Sequence, residues 1–303
     1  PSTDPDIVVL TSRQIEGQNL VRDLAAWVSA PAGRILIVTD FDGTIAEIDL
    51  DPMAATIDPG ARRGLRRLAR LAADRPDRLA LAVLSGRAVA DVAGRVRIGG
   101  VHYLGNHGLE RAWLARHGRL AGLRSDGPPD DPGSASARLG RAVAEALGRP
   151  DWLFVEVKGG SVAFHYRQAP VAATAFRQLD AAVSEALRTE RLELERFDGR
   201  LIVELRPVGA GGKGAAVRRL LAELRPASVL ALGDDRSDAE VFEVLRAERS
   251  SRRLAALNVG VHDRQATPDA LLEAADAMLA RPREAGQLLL ALAADLEAAR
   301  PTG

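Results

Sequence analysis

The chain has 303 residues, 47% of them hydrophobic, enough to bury a full core and in line with two compact units. Lys plus Arg equals Asp plus Glu at 41 each, so the overall charge calls for neither nucleic acid nor an anionic membrane as partner. Cysteine is absent, which excludes disulfides, thiolate zinc sites and a cysteine nucleophile, and no apolar stretch approaches the ~20 residues of a membrane span. Because the opening PSTDPDIVVL lacks the basic-then-apolar form of a signal peptide, the expectation is a soluble cytoplasmic protein. Its oligomeric state is left open.

Residues 1–33 read as a leader with a helix over 13–29, where Leu20, Leu24 and Trp27 recur at helical spacing before Pro31 and Gly33. Residues 34–45, RILIVTDFDGTI, follow. Ile35, Leu36, Ile37 and Val38 form the continuous apolar run of a strand buried on both faces of a parallel sheet. Asp40 and Asp42 then stand at its C-terminal end, where open α/β sheets place ligands. Carboxylates this close repel unless a cation lies between them or one holds a proton, which suits Mg²⁺, covalent attack by one and proton transfer by the other. Gly43 permits a sharp turn that the Thr44 hydroxyl can fix.

A helix over 59–74 carries Leu65, Leu68 and Leu71 on one stripe, and LALAVLSGR gives a second buried strand ending in Ser85, Gly86 and Arg87. That tripeptide is an ordinary strand-to-helix turn which also suits a hydrogen bond to a phosphate oxygen. A third strand over 101–104 runs into Gly105, Asn106, His107, Gly108, Leu109 and Glu110, again polar at the same end of the sheet.

The periodicity changes after a polar loop over 125–136. A helix over 135–147 leads to alternating segments 152–158 and 161–167 around Gly159-Gly160, a strong hairpin signal. That register sets Glu156 opposite Ala163 and Phe154 opposite His165, so Glu156, Lys158, His165 and Arg167 share one face. A helix over 171–189 precedes a second hairpin, expected around Asp198-Gly199, with Glu193, Glu195, Glu204 and Arg206 on its charged face. The pattern αββαββ predicts a small antiparallel sheet backed by two helices.

Beyond Pro207 the α/β pattern resumes. GAGGKGAAVRRLL places Lys213 at a helix start, where cation and helix N-terminus together favour phosphate. A strand over 228–232 ends in a second carboxylate cluster, Gly233-Asp234-Asp235-Arg236-Ser237-Asp238. A strand near 254–259 and helices near 268–279 and 282–298 complete the chain.

The order Asp-x-Asp, Ser, Lys, Gly-Asp-Asp resembles the four motifs of haloacid dehalogenase (HAD)-like phosphatases. LGNHGLE, VEVK with HYR, ELRP followed by GKG, and GDDRSDAEVF extend the likeness to trehalose-6-phosphate phosphatases over about residues 34–280. The resemblance implies a HAD-like Rossmannoid parallel-sheet core, 34–110 with 208–303, and an inserted α+β cap over 111–207. It implies a Mg²⁺-dependent phosphatase releasing phosphate from trehalose 6-phosphate through an aspartyl-phosphate. Asp40 would be the nucleophile and Asp42 the acid and then base; Ser85 and Lys213 would bind the phosphoryl group. Mg²⁺ would be held by Asp40, Asp42 through its main-chain carbonyl, and Asp234. Gly86, Arg87, Asn106 and His107 at the core rim, with Glu156, Lys158, His165, Arg167, Glu204 and Arg206 on the cap, would meet the sugar. Ser237 and Ala239 stand where the family carries Thr and Glu, which leaves the same chemistry on another sugar phosphate as the nearest alternative, and a non-catalytic sugar-phosphate-binding module as the next.

Overall fold

The computed structural model describes residues 33–49, 51, 53–120, 123, 133–158, 160–199, 201–208, 211–251, 253–262 and 267–298. The helix expected over 13–29 and most of the loop expected over 125–136 lie outside them. Two compact units emerge, one formed by 1–125 with 212–303 and the other by 126–211.

In the first unit, β1 (Ile35–Thr39), α1 (Pro59–Asp74), β2 (Leu79–Leu84), α2 (Val89–Val96), β3 (Val101–Gly105) and β4 (Glu110–Leu114) form the leading half. The second unit supplies α3 (Ala135–Ala146), β5 (Phe154–Lys158), β6 (Ser161–His165), α4 (Ala172–Glu190), β7 (Leu194–Gly199) and β8 (Ile202–Pro207). The first unit then resumes with α5 (Lys213–Leu224), β9 (Ser228–Gly233), α6 (Arg236–Ser250), β10 (Ala255–Val261), α7 (Asp269–Ala274), β11 (Ala277–Leu279) and α8 (Pro282–Ala298).

The large sheet runs β11-β10-β9-β1-β2-β3-β4, parallel except for β4, which returns antiparallel beside β3. Alternation along β1 sends Ile35 and Ile37 into one apolar layer and Leu36 and Val38 into the other. The first layer is closed by α1, α2 and α8, the second by α5, α6 and α7. This two-faced burial is why β1, β2 and β9 read as uninterrupted apolar runs. It also fixes β1 between β2 and β9, so the loops after these three strands converge at one sheet edge.

Three expectations change here. The segment 110–114 is strand β4 of the large sheet, with Ala112 and Leu114 buried, so the unit boundary lies at 125/126 rather than 110/111. The helix expected over 268–279 is cut to α7, and Ala277–Leu279 pairs in parallel with β10 instead. The cause is Asp276, whose carboxylate accepts from the Asn258 amide at 2.8 Å and from Arg249, while its own amide donates to the Asn258 carbonyl. Those tertiary bonds outcompete another helical turn. Finally, the second hairpin turns two residues later than expected: Gly199 pairs with Ile202, and Leu201 takes a left-handed φ of 54°.

The second unit has the order β5-β6-β8-β7, all antiparallel, with its apolar face on α3 and α4. The pairs Glu156 with Ala163 and Phe154 with His165 are those expected.

Candidate active site

Asp40 follows β1, Ser85 follows β2 and Asp234 follows β9, so three strand ends deliver polar groups to one rim. All three side chains are buried, and so is Lys213, the first residue of α5. The Lys213 ammonium lies 2.9 Å from Asp40 Oδ1 and 2.8 Å from Asp238 Oδ1. The other Asp238 oxygen accepts from the amides of Asp234 and Asp235 at 3.2 Å each, as part of a capping box that starts α6. Asp238 thus joins the helix start to the strand end and to the lysine.

Gly43 and Thr44 fix the far side of Asp234. The Thr44 hydroxyl donates to Asp234 Oδ1 at 2.8 Å rather than to its own turn, which sequence reasoning had not paired. Gly43 takes φ +75°, and a Cβ there would stand 1.9 Å from Asp234 Oδ2. The turn after β1 therefore needs glycine for both conformation and clearance.

The electrostatics are unusual for so small a volume. Burial pushes the Asp40 carboxyl up, Lys213 pulls it down, and Asp238 and Asp42 raise it again, leaving it at about 7. Asp234 is raised well above the ordinary range, first by burial and then by Asp40 and Asp238. Burial works against the Lys213 charge, but Asp238 and Asp40 outweigh it and hold the ammonium protonated. Three buried carboxylates thus face one ammonium, which leaves an excess of negative charge that a cation would relieve.

Ligand oxygens of Asp40, Asp234 and Asp238 lie within 4.8 Å of one another, the one such cluster among the described residues. An all-carboxylate set of hard oxygens fits Mg²⁺. Because Asp238 is engaged by Lys213 and two amides, Asp40 and Asp234 are the carboxylates best placed to hold it. The Asp42 carboxylate is instead forked by Arg87, with Nε at 2.7 Å and Nη2 at 2.6 Å, which leaves any metal role of Asp42 to its main-chain carbonyl.

Arg87 also pairs with Asp91 at 2.9 Å, and its amide donates to the Ser85 hydroxyl at 3.2 Å. The loop after β3 docks onto this turn: the Asn106 amide donates to the Arg87 carbonyl and the His107 amide to the Ser85 carbonyl. Asn106 and His107 both take positive φ, 49° and 55°, and the His107 ring packs so closely on Gly86 that a Cβ there would lie 2.7 Å from Nε2. Two adjacent left-handed residues without glycine mark a loop held in place by its surroundings. Ser85, expected to bind the phosphoryl group, is thereby brought together with Gly86, Arg87, Asn106 and His107, expected at the core rim.

The remaining candidates belong to the second unit. Glu156 Oε2 is shared by His165 Nε2 at 2.9 Å and Lys158 Nζ at 3.3 Å, and Glu204 pairs with Arg206 at 2.9 Å. Burial raises the Glu156 carboxyl, but the His165 hydrogen bond and the Lys158 charge outweigh it and bring it down to about 2. Arg206 also stacks 4.1 Å above the Phe197 ring. Arg167 lies two residues past the end of β6, half-buried, and so outside the strand that carries His165.

Residues 38–270 match the family model for trehalose-phosphatase. The chain is 36% identical over 219 residues to the trehalose-phosphate phosphatase of Mycobacterium tuberculosis strain H37Rv, the match covering 68% of this chain and 50% of that protein. It thus spans about half the length of the curated relatives it matches. Among solved structures, the C-terminal domain of trehalose-6-phosphate phosphatase from C. albicans superposes with a TM-score of 0.70 at 22% identity, covering 90% of this chain and 97% of that one. A haloacid dehalogenase-like hydrolase from Bacteroides thetaiotaomicron gives 0.56 at 16% identity, covering 88% and 99%, and both likenesses concern the fold. On the match to its family model and to its mycobacterial relative, the chain belongs to the trehalose-phosphatase family, built on a HAD-like fold.

Proposed function

We propose that the chain is a Mg²⁺-dependent phosphatase that releases phosphate from trehalose 6-phosphate. The observation that carries this is the buried Asp40, pinned by Lys213 at 2.9 Å beside Asp234 at the meeting of three strand ends. The naming of the mycobacterial relative as a trehalose-phosphate phosphatase supports the substrate.

In the first step an Asp40 oxygen forms a bond to phosphorus as the bond from phosphorus to the sugar oxygen breaks, and Asp42 gives that oxygen a proton. In the second, Asp42 takes a proton from water as the water oxygen displaces Asp40. Phosphoryl transfer is chiefly positioning and charge neutralisation, and Lys213 with the Ser85 hydroxyl supplies both from this chain. Mg²⁺ held by Asp40 and Asp234 would add Lewis-acid neutralisation of the phosphoryl oxygens. Asp42 has to leave the Arg87 fork before its carboxyl can serve the sugar oxygen, so Arg87 holds it in a waiting position.

We assign the sugar hydroxyls to the charged sheet face carrying Glu156, Lys158, His165, Glu204 and Arg206, with Arg167 beside it. Ala239, where the family carries a carboxylate, is buried in the apolar layer that holds Leu104, Val217 and Phe242.

The test is phosphate release with Mg²⁺ from trehalose 6-phosphate beside sucrose and glucosylglycerate phosphates, with Asp40→Asn as blank. Fast, Asp40-dependent turnover of trehalose 6-phosphate supports the proposal. Release from another phosphate alone would keep the chemistry and reject the substrate, and binding without release would indicate a regulatory module.

A further inference from the structure

Helix α5 carries Lys213 at its first position, yet its own sequence gives that end no support. Its N-cap is Gly212, which makes no side-chain cap bond, and its first turn holds no acidic residue. A lysine at the positive end of a helix dipole is locally unfavourable. The missing carboxylate comes from another helix: Glu240 of α6 accepts from the Gly214 amide at 3.3 Å through Oε2. Gly212 closes on the same oxygen so tightly that a Cβ there would lie 2.2 Å from it. Gly214 rests on the Glu240 main chain and Cβ, where an added Cβ would be 3.2 Å away. Two residues earlier on α6, Asp238 grips the Lys213 ammonium at 2.8 Å.

From this we infer that Glu240 is a positioning residue for Lys213: it caps α5 from α6, so that a single helix turn holds both the Gly214 amide next to the lysine and the lysine's own amine. The consequence differs from the sequence expectation that the α5 N-terminus itself receives phosphate. A protein carboxylate already takes the Gly214 amide there, and the phosphoryl group is left to the Lys213 amine. The inference rests on the phosphatase reading for its effect on turnover, but not for the clamp itself.

Two variants displace the carboxylate independently. Glu240→Ala removes it, and Gly212→Ala pushes a methyl into it. Either is expected to speed hydrogen exchange at the Gly214 amide about tenfold or more, with α6 amides unchanged, and to lower kcat/KM about 10- to 100-fold. Binding of inorganic phosphate with Mg²⁺, followed by calorimetry, is expected to weaken in parallel. Glu240→Gln keeps an acceptor oxygen and is expected to recover most of both losses. In a Glu240→Ala background, Gly212→Ala has nothing left to strike and is expected to add no further loss. Unchanged exchange at Gly214 in Glu240→Ala, or fully additive losses in the double variant, would overturn the inference. Failure of the parent to release phosphate would reject the phosphatase reading alone, because the exchange measurement still decides the clamp.

Discussion

At the scale of single residues, the site depends on positions where chemistry and clearance coincide. Gly43 is the sharpest case: its φ of +75° disfavours any Cβ, and the Asp234 carboxylate fills the space a Cβ would take. Gly43→Ala should therefore cost about 1–3 kcal/mol of stability through backbone strain. It should also lower activity, by moving Asp234 off the Thr44 hydroxyl, in excess of what partial unfolding explains. Urea titration beside phosphate-release assays checks both. Glu156 offers a pH prediction of definite sign. Its carboxyl sits at about 2 in the fold against an ordinary 4.5, so it contributes stability that is fully present above pH 4.5 and lost as pH falls toward 2. Glu156→Gln should flatten the acid limb of the urea midpoint across that window. Parallel limbs for parent and variant would mean that the His165 and Lys158 pairing does not stabilise the ionised form.

At the scale of elements, close helix packing decides more than intrinsic propensity. Helices α1 and α8 approach through Gly60, Gly64 and Gly286, and a Cβ on Gly64 would lie 2.8 Å from the Leu289 main chain. Gly64→Ala gains about 1 kcal/mol of helix propensity but should lose about 1–3 kcal/mol net, because backbone cannot yield as a side-chain tip can. Gly94 in α2 is the control: a Cβ there meets nothing within 4 Å. Gly94→Ala should stabilise by about 0.5–1 kcal/mol, and denaturant midpoints of the two variants moving the same way would refute the packing argument. The same contrast explains what the sequence could and could not disclose. The buried strands, the Gly159-Gly160 hairpin and its register were legible because apolar runs and alternation are local signals. The end of α7 at Asp276 and the cap that Glu240 gives α5 were not, because each is set by a partner on another element, and β4 was not, because it folds back on β3 through a short turn without a Gly-Gly or Asn-Gly signal. Asp42 was legible as a reactive carboxylate, whereas its fork to Arg87, 45 residues away, was not.

At the scale of the whole molecule, the residues proposed for phosphoryl transfer all belong to one unit and the charged sheet face to the other. Asp40, Asp42, Ser85, Lys213 and Asp234 lie within 1–125 and 212–303, while 126–211 forms a single continuous insertion. The insertion has its own core, in which Leu139, Val143, Val162, Phe164, Leu179, Val203 and Leu205 are fully buried between α3, α4 and the four-stranded sheet. Asp40, Asp42 and Asp234 are held in place from within the first unit, by Lys213, Arg87, Asp238 and Thr44. Replacing 126–211 by a short flexible linker should therefore leave a folded protein whose melting temperature still rises on adding Mg²⁺. That protein should still hydrolyse a small aryl phosphate, because nucleophile, lysine and carboxylates are intact, while trehalose 6-phosphate turnover should fall at least about 100-fold with the loss of the sugar-binding face. Expressed alone, 126–211 should show a cooperative thermal transition of its own, since a unit of this size with a closed apolar layer can fold independently. A joined core that no longer responds to Mg²⁺ would mean that the insertion helps to shape the carboxylate cluster. Undiminished turnover of trehalose 6-phosphate would place sugar recognition on the core rim, with Arg87, Asn106 and His107 the residues to alter next.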